Sequence, residues 1–269
     1  MNELYRLNDG YPRSEVFDEI LPMIRTVGGI ALSYQHKSDS VEHKLDGSPV
    51  TYADKAIEEY VFNRLGKILP DDGFQGEEGF LRDSKNGRLW TLDPIDGTIQ
   101  FIHGQEFWAT LLALDDTDIT TTGFITFPAR NELIFAEINK GCWEISNNKI
   151  NKLQASSVSS LPEAYVLHNG IDFAKKANRL DQLSKIVLSA YAERGYADAF
   201  GHAEIMRGHA DVMIDFLTEY HDIAAVKIGI AESGGTWTAI DGTQDLSNGS
   251  GGSITSNGKL HQTIVEALR

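Results

Sequence analysis

Between residues 88 and 144 the chain is cut into short runs rich in β-branched and aromatic residues, LWTLD, FWATLLAL, GFITF, ELIFAEI and GCWEI, separated by Gly, Asp, Asn and Pro. Runs of this length and spacing fit a mostly antiparallel sheet. Two amphipathic stripes come first. Over residues 14–35, Val16, Phe17, Ile20, Leu21, Ile24, Val27 and Ile30 recur at helical spacing, and the helix they predict is weakened locally by Pro22 and by Gly28 and Gly29. Thr51 with Asp54 beyond it reads as a capping signal for a second helix, striped by Ile57, Tyr60, Val61, Leu65 and Ile68 and ending near Pro70.

The stretch 147–162 is rich in Asn, Ser and Lys without apolar periodicity. It marks the expected junction between an N-terminal α+β part, residues 1–150, and a C-terminal α/β part, residues 151–269. Beyond it AYVLHNG reads as a strand, residues 180–194 as a helix, 203–208 as another, DVMIDF as a strand, and 222–232 as a helix stopped at Gly234 and Gly235. The segment SNGSGGS, residues 247–253, reads as a solvated turn.

With 41% hydrophobic and 23% charged residues in 269, the chain has an ordinary globular composition and can form a real core. Lys and Arg total 24 against 39 Asp and Glu, a formal charge of −15. Such a surface repels phosphate backbones at long range, so nucleic acid is not expected as a partner, while cations are. A single cysteine, Cys142, excludes an internal disulfide and any Cys-rich metal site, and it reads as a small core residue in GCWEI. The polar start MNELYRLNDGYPRSE and the lack of a long apolar run predict a soluble, cytoplasmic protein without a membrane partner. The histidines form no H-E-x-x-H or Ser/His/Asp signature.

The segment that carries chemistry is WTLDPIDGT, residues 90–98. A β-run delivers Asp93 at its carboxyl end, Pro94 fixes the exit, and Asp96, Gly97 and Thr98 can open a following helix or turn with backbone N–H groups exposed. Two carboxylates so placed beside free amides suit a metal ion and a phosphate bound side by side; a polar turn capped by Asp96 is the alternative. Glu77, in the loop GEEG, and Asp222, at the start of DIAAVKIGIAESGG, add two more acids. Glu77, Asp93, Asp96 and Asp222 would give Mg²⁺ the oxygen ligands it prefers, although each taken singly is more often a surface or capping acid.

GEEG, WTLDPIDGTIQFIHG and HDIAAVKIGIAESGG together resemble the inositol monophosphatase superfamily of Mg²⁺-dependent, lithium-sensitive phosphatases. The likeness runs from DGSPVTYAD, residues 46–54, to the Gly234 and Gly235 pair. It implies a layered αβαβα sandwich with an antiparallel sheet in the first half and a mixed sheet in the second, assembled as a homodimer. It also implies two or three Mg²⁺ ions, with Mn²⁺ as a substitute, held by Glu77, Asp93, the Ile95 carbonyl, Asp96 and Asp222. The amides of Gly97 and Thr98 would hold the phosphate. Thr98, Glu77 and an acid from 46–54 would activate the attacking water. The ions would neutralise the phosphate, acidify water and stabilise the leaving alkoxide in an in-line displacement with no phosphoenzyme. Inositol monophosphatases proper carry Asp immediately before Leu-Val-Thr, where this chain has Ser48; a related branch has Asp earlier, before Ser-Pro-Val-Thr, which makes Asp46 the partner of Thr98. A DG turn at Asp46 is the alternative.

Within the superfamily, SPVTYAD, FIHGQEFWATLLAL and YADAFGHAEIMRGHADVMID are most similar to the histidinol-phosphatase branch. Asp96, Asp198 and Asp215 fall where that branch places substrate-facing acids, and carboxylates suit the ammonium and imidazole of histidinol. The local alternatives are an N-cap for Asp198 and a strand-end turn for Asp215. His221 replaces the Trp usual before the metal-binding Asp; it reads as a packed or solvent-facing histidine, with a substrate contact as the alternative. The expected function is hydrolysis of histidinol phosphate in histidine biosynthesis. The alternatives are an inositol-1-phosphate, sugar-phosphate or bisphosphate nucleotide phosphatase, or a catalytically silent ligand-binding protein on the same fold.

Overall fold

The computed structural model describes residues 11–35, 41–43, 49–196, 198–246 and 251–269. Helix α1 (Glu15–Tyr34) starts where the Ser14 hydroxyl accepts the Phe17 N–H at 3.2 Å, and it runs on through Pro22 and the paired glycines. Gly28 is small for a reason, since a Cβ there would sit 3.3 Å from the Pro128 ring. Strands β1 (Val41–His43) and β2 (Pro49–Thr51) form an antiparallel pair that leads into α2 (Tyr52–Ile68). The capping box is present: the Thr51 N–H donates to Asp54 Oδ2 at 2.7 Å, and the Ala53 N–H donates to Thr51 Oγ1.

The first sheet follows, built from β3 (Gly73–Gly76), β4 (Leu81–Arg82) and β5 (Arg88–Asp96) and, after the short helix α3 (Thr98–Ile102), from β6 (Ala109–Asp116), β7 (Ile119–Phe127), β8 (Glu132–Glu137), β9 (Gly141–Ser146) and β10 (Lys149–Lys152). Its order is β10-β9-β8-β7-β6-β5-β3-β4, antiparallel throughout except where β3 runs parallel to β5. The expected junction at residue 150 falls inside β10, which pairs with β9.

The second half contributes β11 (Tyr165–His168), α4 (Ile171–Lys176), α5 (Leu180–Ser189), β12 (Ala192–Gly195), α6 (Asp198–Met206), β13 (Val212–Asp215), α7 (Tyr220–Glu232), β14 (Thr236–Ala239), β15 (Ser253–Ser256) and α8 (His261–Leu268). Its strands form a mixed sheet in the order β12-β11-β13-β15-β14. Three local expectations are corrected. The helix read over 180–194 stops at Ser189, and β12 follows as an edge strand whose place is set by backbone pairing with β11 and not by any apolar pattern of its own. The helix read from residue 203 begins at Asp198. Of the turn read over 247–253, residues 247–250 lie outside the described residues, while Ser253 is buried and opens β15.

Strand alternation sorts the core into layers. Leu112, Leu114, Phe124 and Phe135 point to one face of the first sheet and pack with Phe17, Ile24, Ile57 and Val61 of α1 and α2. Leu111, Ala113, Ile125 and Ala136 point to the other face and meet Ala203 and Met206 of α6, Ala225 and Ile228 of α7, and Met213 of the second sheet. Val166, Val212 and Ile254 on the far face of that sheet pack against Ile186 of α5 and Ile264 of α8. The result is the αβαβα sandwich, and because β6 to β8 are covered on both faces they read as continuous apolar runs. Cys142 is buried in the middle layer, and burial raises its thiol pKa. Among the described residues no helix is long and apolar enough to cross a membrane.

Helix α7 lies flat on the first sheet because Gly123 of β7 has no side chain: a Cβ there would stand 2.6 Å from Ile228 Cγ2 and 2.7 Å from the Ala225 carbonyl. Gly123→Ala should therefore lower stability by about 1–3 kcal/mol, read as an earlier urea midpoint. An unchanged midpoint would show that α7 can lift off the sheet at no cost.

Candidate active site

Asp93 and Asp96 are three positions apart, an odd offset, so a regular strand would send them to opposite faces of the sheet. Pairing prevents this. Asp93 faces Leu111 and Asp96 faces Ala109, so β5 advances three residues where β6 advances two, and the irregularity turns both carboxylates to one side. Pro94 sits inside the bulge, where the ladder needs no N–H from it, and its carbonyl accepts the Thr110 hydroxyl at 2.7 Å. Gly97 then adopts φ 81°, a left-handed conformation suited to glycine, and α3 starts at Thr98. The Thr98 hydroxyl donates to the Ile95 carbonyl at 3.1 Å.

Glu77 leaves the end of β3 with its N–H donated to the Leu92 carbonyl at 3.1 Å, which ties GEEG to the strand that carries Asp93. A residue overlooked in the sequence holds this loop. Glu58 of α2 is fully buried, and its carboxylate accepts the N–H groups of Glu78 and Phe80, each at 2.7 Å. Gly76 makes room for it, since a Cβ there would lie 2.2 Å from Glu58 Cδ. The available signal was that Asp54 and Glu58 are acids placed within the apolar stripe of α2.

Asp222 lies in the first turn of α7, where its Oδ2 accepts the Glu219 N–H at 2.7 Å. Asp96 caps a helix distant in sequence: its Oδ2 accepts the Ala199 N–H of α6 at 2.8 Å. Asp198 does not act as a conventional cap. It has φ 62° at the start of α6, and its Oδ2 accepts the Gln100 side-chain amide at 3.1 Å. Asp215 does form a strand-end turn, with Oδ1 accepting the Leu217 N–H at 2.9 Å and the Asn169 side-chain amide at 2.5 Å. Its Oδ2 faces His202 Nε2 at 3.9 Å, and burial lowers the His202 pKa to about 3, leaving that ring neutral.

Asp93, Asp96 and Asp222 each present an oxygen within 4.8 Å of the others, and a second set at the same spacing comprises Glu77, Asp93 and His221. Asp198 and Asp215 belong to neither set, and Asp46 lies outside the described residues. Burial raises the Asp93 carboxyl well above its ordinary range, and repulsion from Glu77, Asp96 and Asp222 raises it further. Asp96 is raised by burial and then by Asp198 and Asp222. Asp198 rises to about 6 through burial and Asp222, and Asp54 to about 7 through burial. Asp215 and Asp222 are raised for the same first reason.

Like charges held this closely away from water need protons or a cation. Asp93 Oδ1 is buried with no hydrogen-bond partner among the described residues, so the site has an acceptor that a cation would satisfy. An all-oxygen carboxylate set fits a hard divalent ion.

Residues 13–269 match the inositol monophosphatase family model. A histidinol-phosphatase of Chlorobaculum parvum is 32% identical over 253 residues, spanning 92% of this chain and 94% of that protein. A Thermotoga maritima protein named fructose-1,6-bisphosphatase/inositol-1-monophosphatase is 29% identical over 258 residues, 93% of this chain and 94% of its own. The extragenic suppressor protein suhB of Bartonella henselae shares the fold at a TM-score of 0.85, with 23% identity, 95% of this chain and 99% of that one covered. The Thermotoga maritima IMPase reaches 0.83 at 27% identity, over 95% of this chain and 97% of its own. Since the likeness runs almost from end to end and takes in the bulge, the GEEG loop and the first turn of α7, the chain belongs to the inositol monophosphatase family and is a phosphomonoesterase.

Proposed function

We propose that this phosphomonoesterase hydrolyses histidinol phosphate with two or three Mg²⁺ ions, for which Mn²⁺ can substitute, by direct attack of water on phosphorus. The observation that carries the substrate is the pair of carboxylates outside the cation sets. Asp198 and Asp215 are each raised in pKa by burial, and each lies close enough to the cluster to feel Asp222. Neither is needed to complete the cluster, and both would gain from a cationic substrate. Histidinol phosphate brings an ammonium and an imidazole to such a site; inositol and sugar phosphates bring only hydroxyls. The histidinol-phosphatase name of a relative sharing 32% identity supports the same choice.

In this reading Glu77, Asp93, the Ile95 carbonyl, Asp96 and Asp222 hold the cations. When bound, the ions would neutralise phosphate charge and acidify the attacking water. The amides of Gly97 and Thr98, at the start of α3 where no helical carbonyl can reach them, take the phosphate oxygens. The Thr98 hydroxyl can accept a hydrogen bond from the attacking water while donating to the Ile95 carbonyl, which fixes the water's direction. Glu77 and Asp46 are assigned to taking its proton. Asp96 works twice, since besides facing the cations it accepts the Ala199 N–H and so caps α6, the helix that carries Asp198. We further infer a cytoplasmic homodimer, as the family resemblance implies and as the single buried thiol of Cys142 allows.

Asp93→Asn and Asp222→Asn should each fold and lose roughly a hundredfold or more in kcat/KM at saturating Mg²⁺. Retention of most of the activity by either variant would remove that residue from the cation set. Asp198→Asn and Asp215→Asn should raise KM for histidinol phosphate about tenfold more than KM for inositol phosphate, the value of one partly buried ion pair. Equal effects on the two esters would remove the charge argument and favour a neutral polyol or sugar phosphate.

A further inference from the structure

His221 stands immediately before Asp222 in the first turn of α7 and is 20% exposed. Its Nε2 lies 3.3 Å from Asp222 Oδ1, and its Nδ1 lies 4.0 Å from Glu219 Oε2. A ring nitrogen of His221, a Glu77 oxygen and an Asp93 oxygen all fall within 4.8 Å of one another. These groups come from the loop after β3, the end of β5 and the start of α7, so their meeting is a product of the tertiary structure and not of local sequence. Independently, Asp93 is only 3% exposed and its Oδ1 has no hydrogen-bond partner among the described residues.

An imidazole with one nitrogen turned toward carboxylates of a cation centre and the other toward a further carboxylate has the arrangement of a supported histidine ligand. The outer carboxylate here is Glu219, whose Oε2 at 4.0 Å from Nδ1 is a charged neighbour of the ring and not a hydrogen-bond partner. A nitrogen donor also changes selectivity. Mg²⁺ favours oxygen ligands and retains water, whereas Mn²⁺, Co²⁺ and Zn²⁺ accept imidazole readily. Resting on the reading that the carboxylate cluster holds divalent cations, we propose that His221 is a nitrogen ligand of one of them, shared with Glu77 and Asp93, and that it tilts the centre from Mg²⁺ toward transition-metal ions such as Mn²⁺.

The test is pulsed EPR of Mn²⁺ bound to the full chain, with calorimetric affinities for Mn²⁺ and Mg²⁺. The wild type should show imidazole nitrogen coupling to Mn²⁺. His221→Asn should lose that coupling and bind Mn²⁺ roughly tenfold more weakly, while its Mg²⁺ affinity changes by less than about twofold. His221→Gln provides a second variant should the first fold poorly. Mn²⁺ that binds the wild type without nitrogen coupling, or coupling that survives in both variants, overturns the role of His221 and leaves the carboxylate centre standing. A wild type that binds neither ion better than Asp93→Asn does overturns the carboxylate centre and the proposal with it.

Discussion

Holding several carboxylates together away from water is unfavourable, and much of the local architecture at the end of β5 serves to hold them there. Asp93 and Asp96 cannot leave the site because the bulge between β5 and β6 fixes which way they point. The GEEG loop cannot swing out because Glu58 binds the N–H groups of Glu78 within it and of Phe80 just after it. Asp222 is fixed by the reciprocal capping box with Glu219 at the start of α7. Each restraint uses a hydrogen bond or a ladder pairing to offset part of the repulsion, and none supplies the opposite charge the cluster lacks. That missing charge is what a divalent cation would bring and, on the proposed reading, a cationic substrate as well.

The same site joins the layers of the sandwich. Asp96 belongs to the first sheet yet caps α6, which lies between the sheets. At the other end of α6, the almost fully buried Arg207 binds Glu132 and Glu144 of the first sheet and Glu204 of its own helix. Helix α6 is thereby pinned at both ends to the sheet that carries Asp93, while its middle meets the second sheet through His202, whose Nδ1 lies 2.8 Å from the Thr255 hydroxyl. Asp198 and Asp215, on α6 and β13, are consequently held in register with residues far away in sequence. A phosphate ester spanning the cation set and these two acids would be gripped by both halves of the chain.

The sequence was most legible where structure is local. The Thr51 and Asp54 box, the two N-terminal helices and the apolar runs of the first sheet follow from neighbours along the chain. Asp93 and Asp96 were visible as a motif, but their common direction depends on pairing with β6, which periodicity does not encode. The edge strand β12 was hidden because its residues carry no apolar alternation and its position is fixed by β11. Asp215 looked like a turn residue and is one, yet its bond to Asn169 comes from another strand's end. His221 looked like an ordinary packed or exposed histidine, because nothing along the chain reveals that the loop after β3 folds against it.

If unneutralised carboxylates are the dominant strain in the fold, removing cations should make stability fall as pH rises. Burial raises Asp198 to about 6 and Asp54 to about 7, with Asp93 and Asp96 also raised, so these groups keep protons in the folded chain that the unfolded chain has already released. Their contribution is present at low pH and is lost as pH climbs through those values. The direct measurement is the melting temperature across this range in chelator and in saturating Mg²⁺. The chelated protein should melt progressively lower as pH rises from about 5 to about 8, and Mg²⁺ should remove most of that decline. Parallel curves, with and without the ion, would show that cations do not neutralise this cluster.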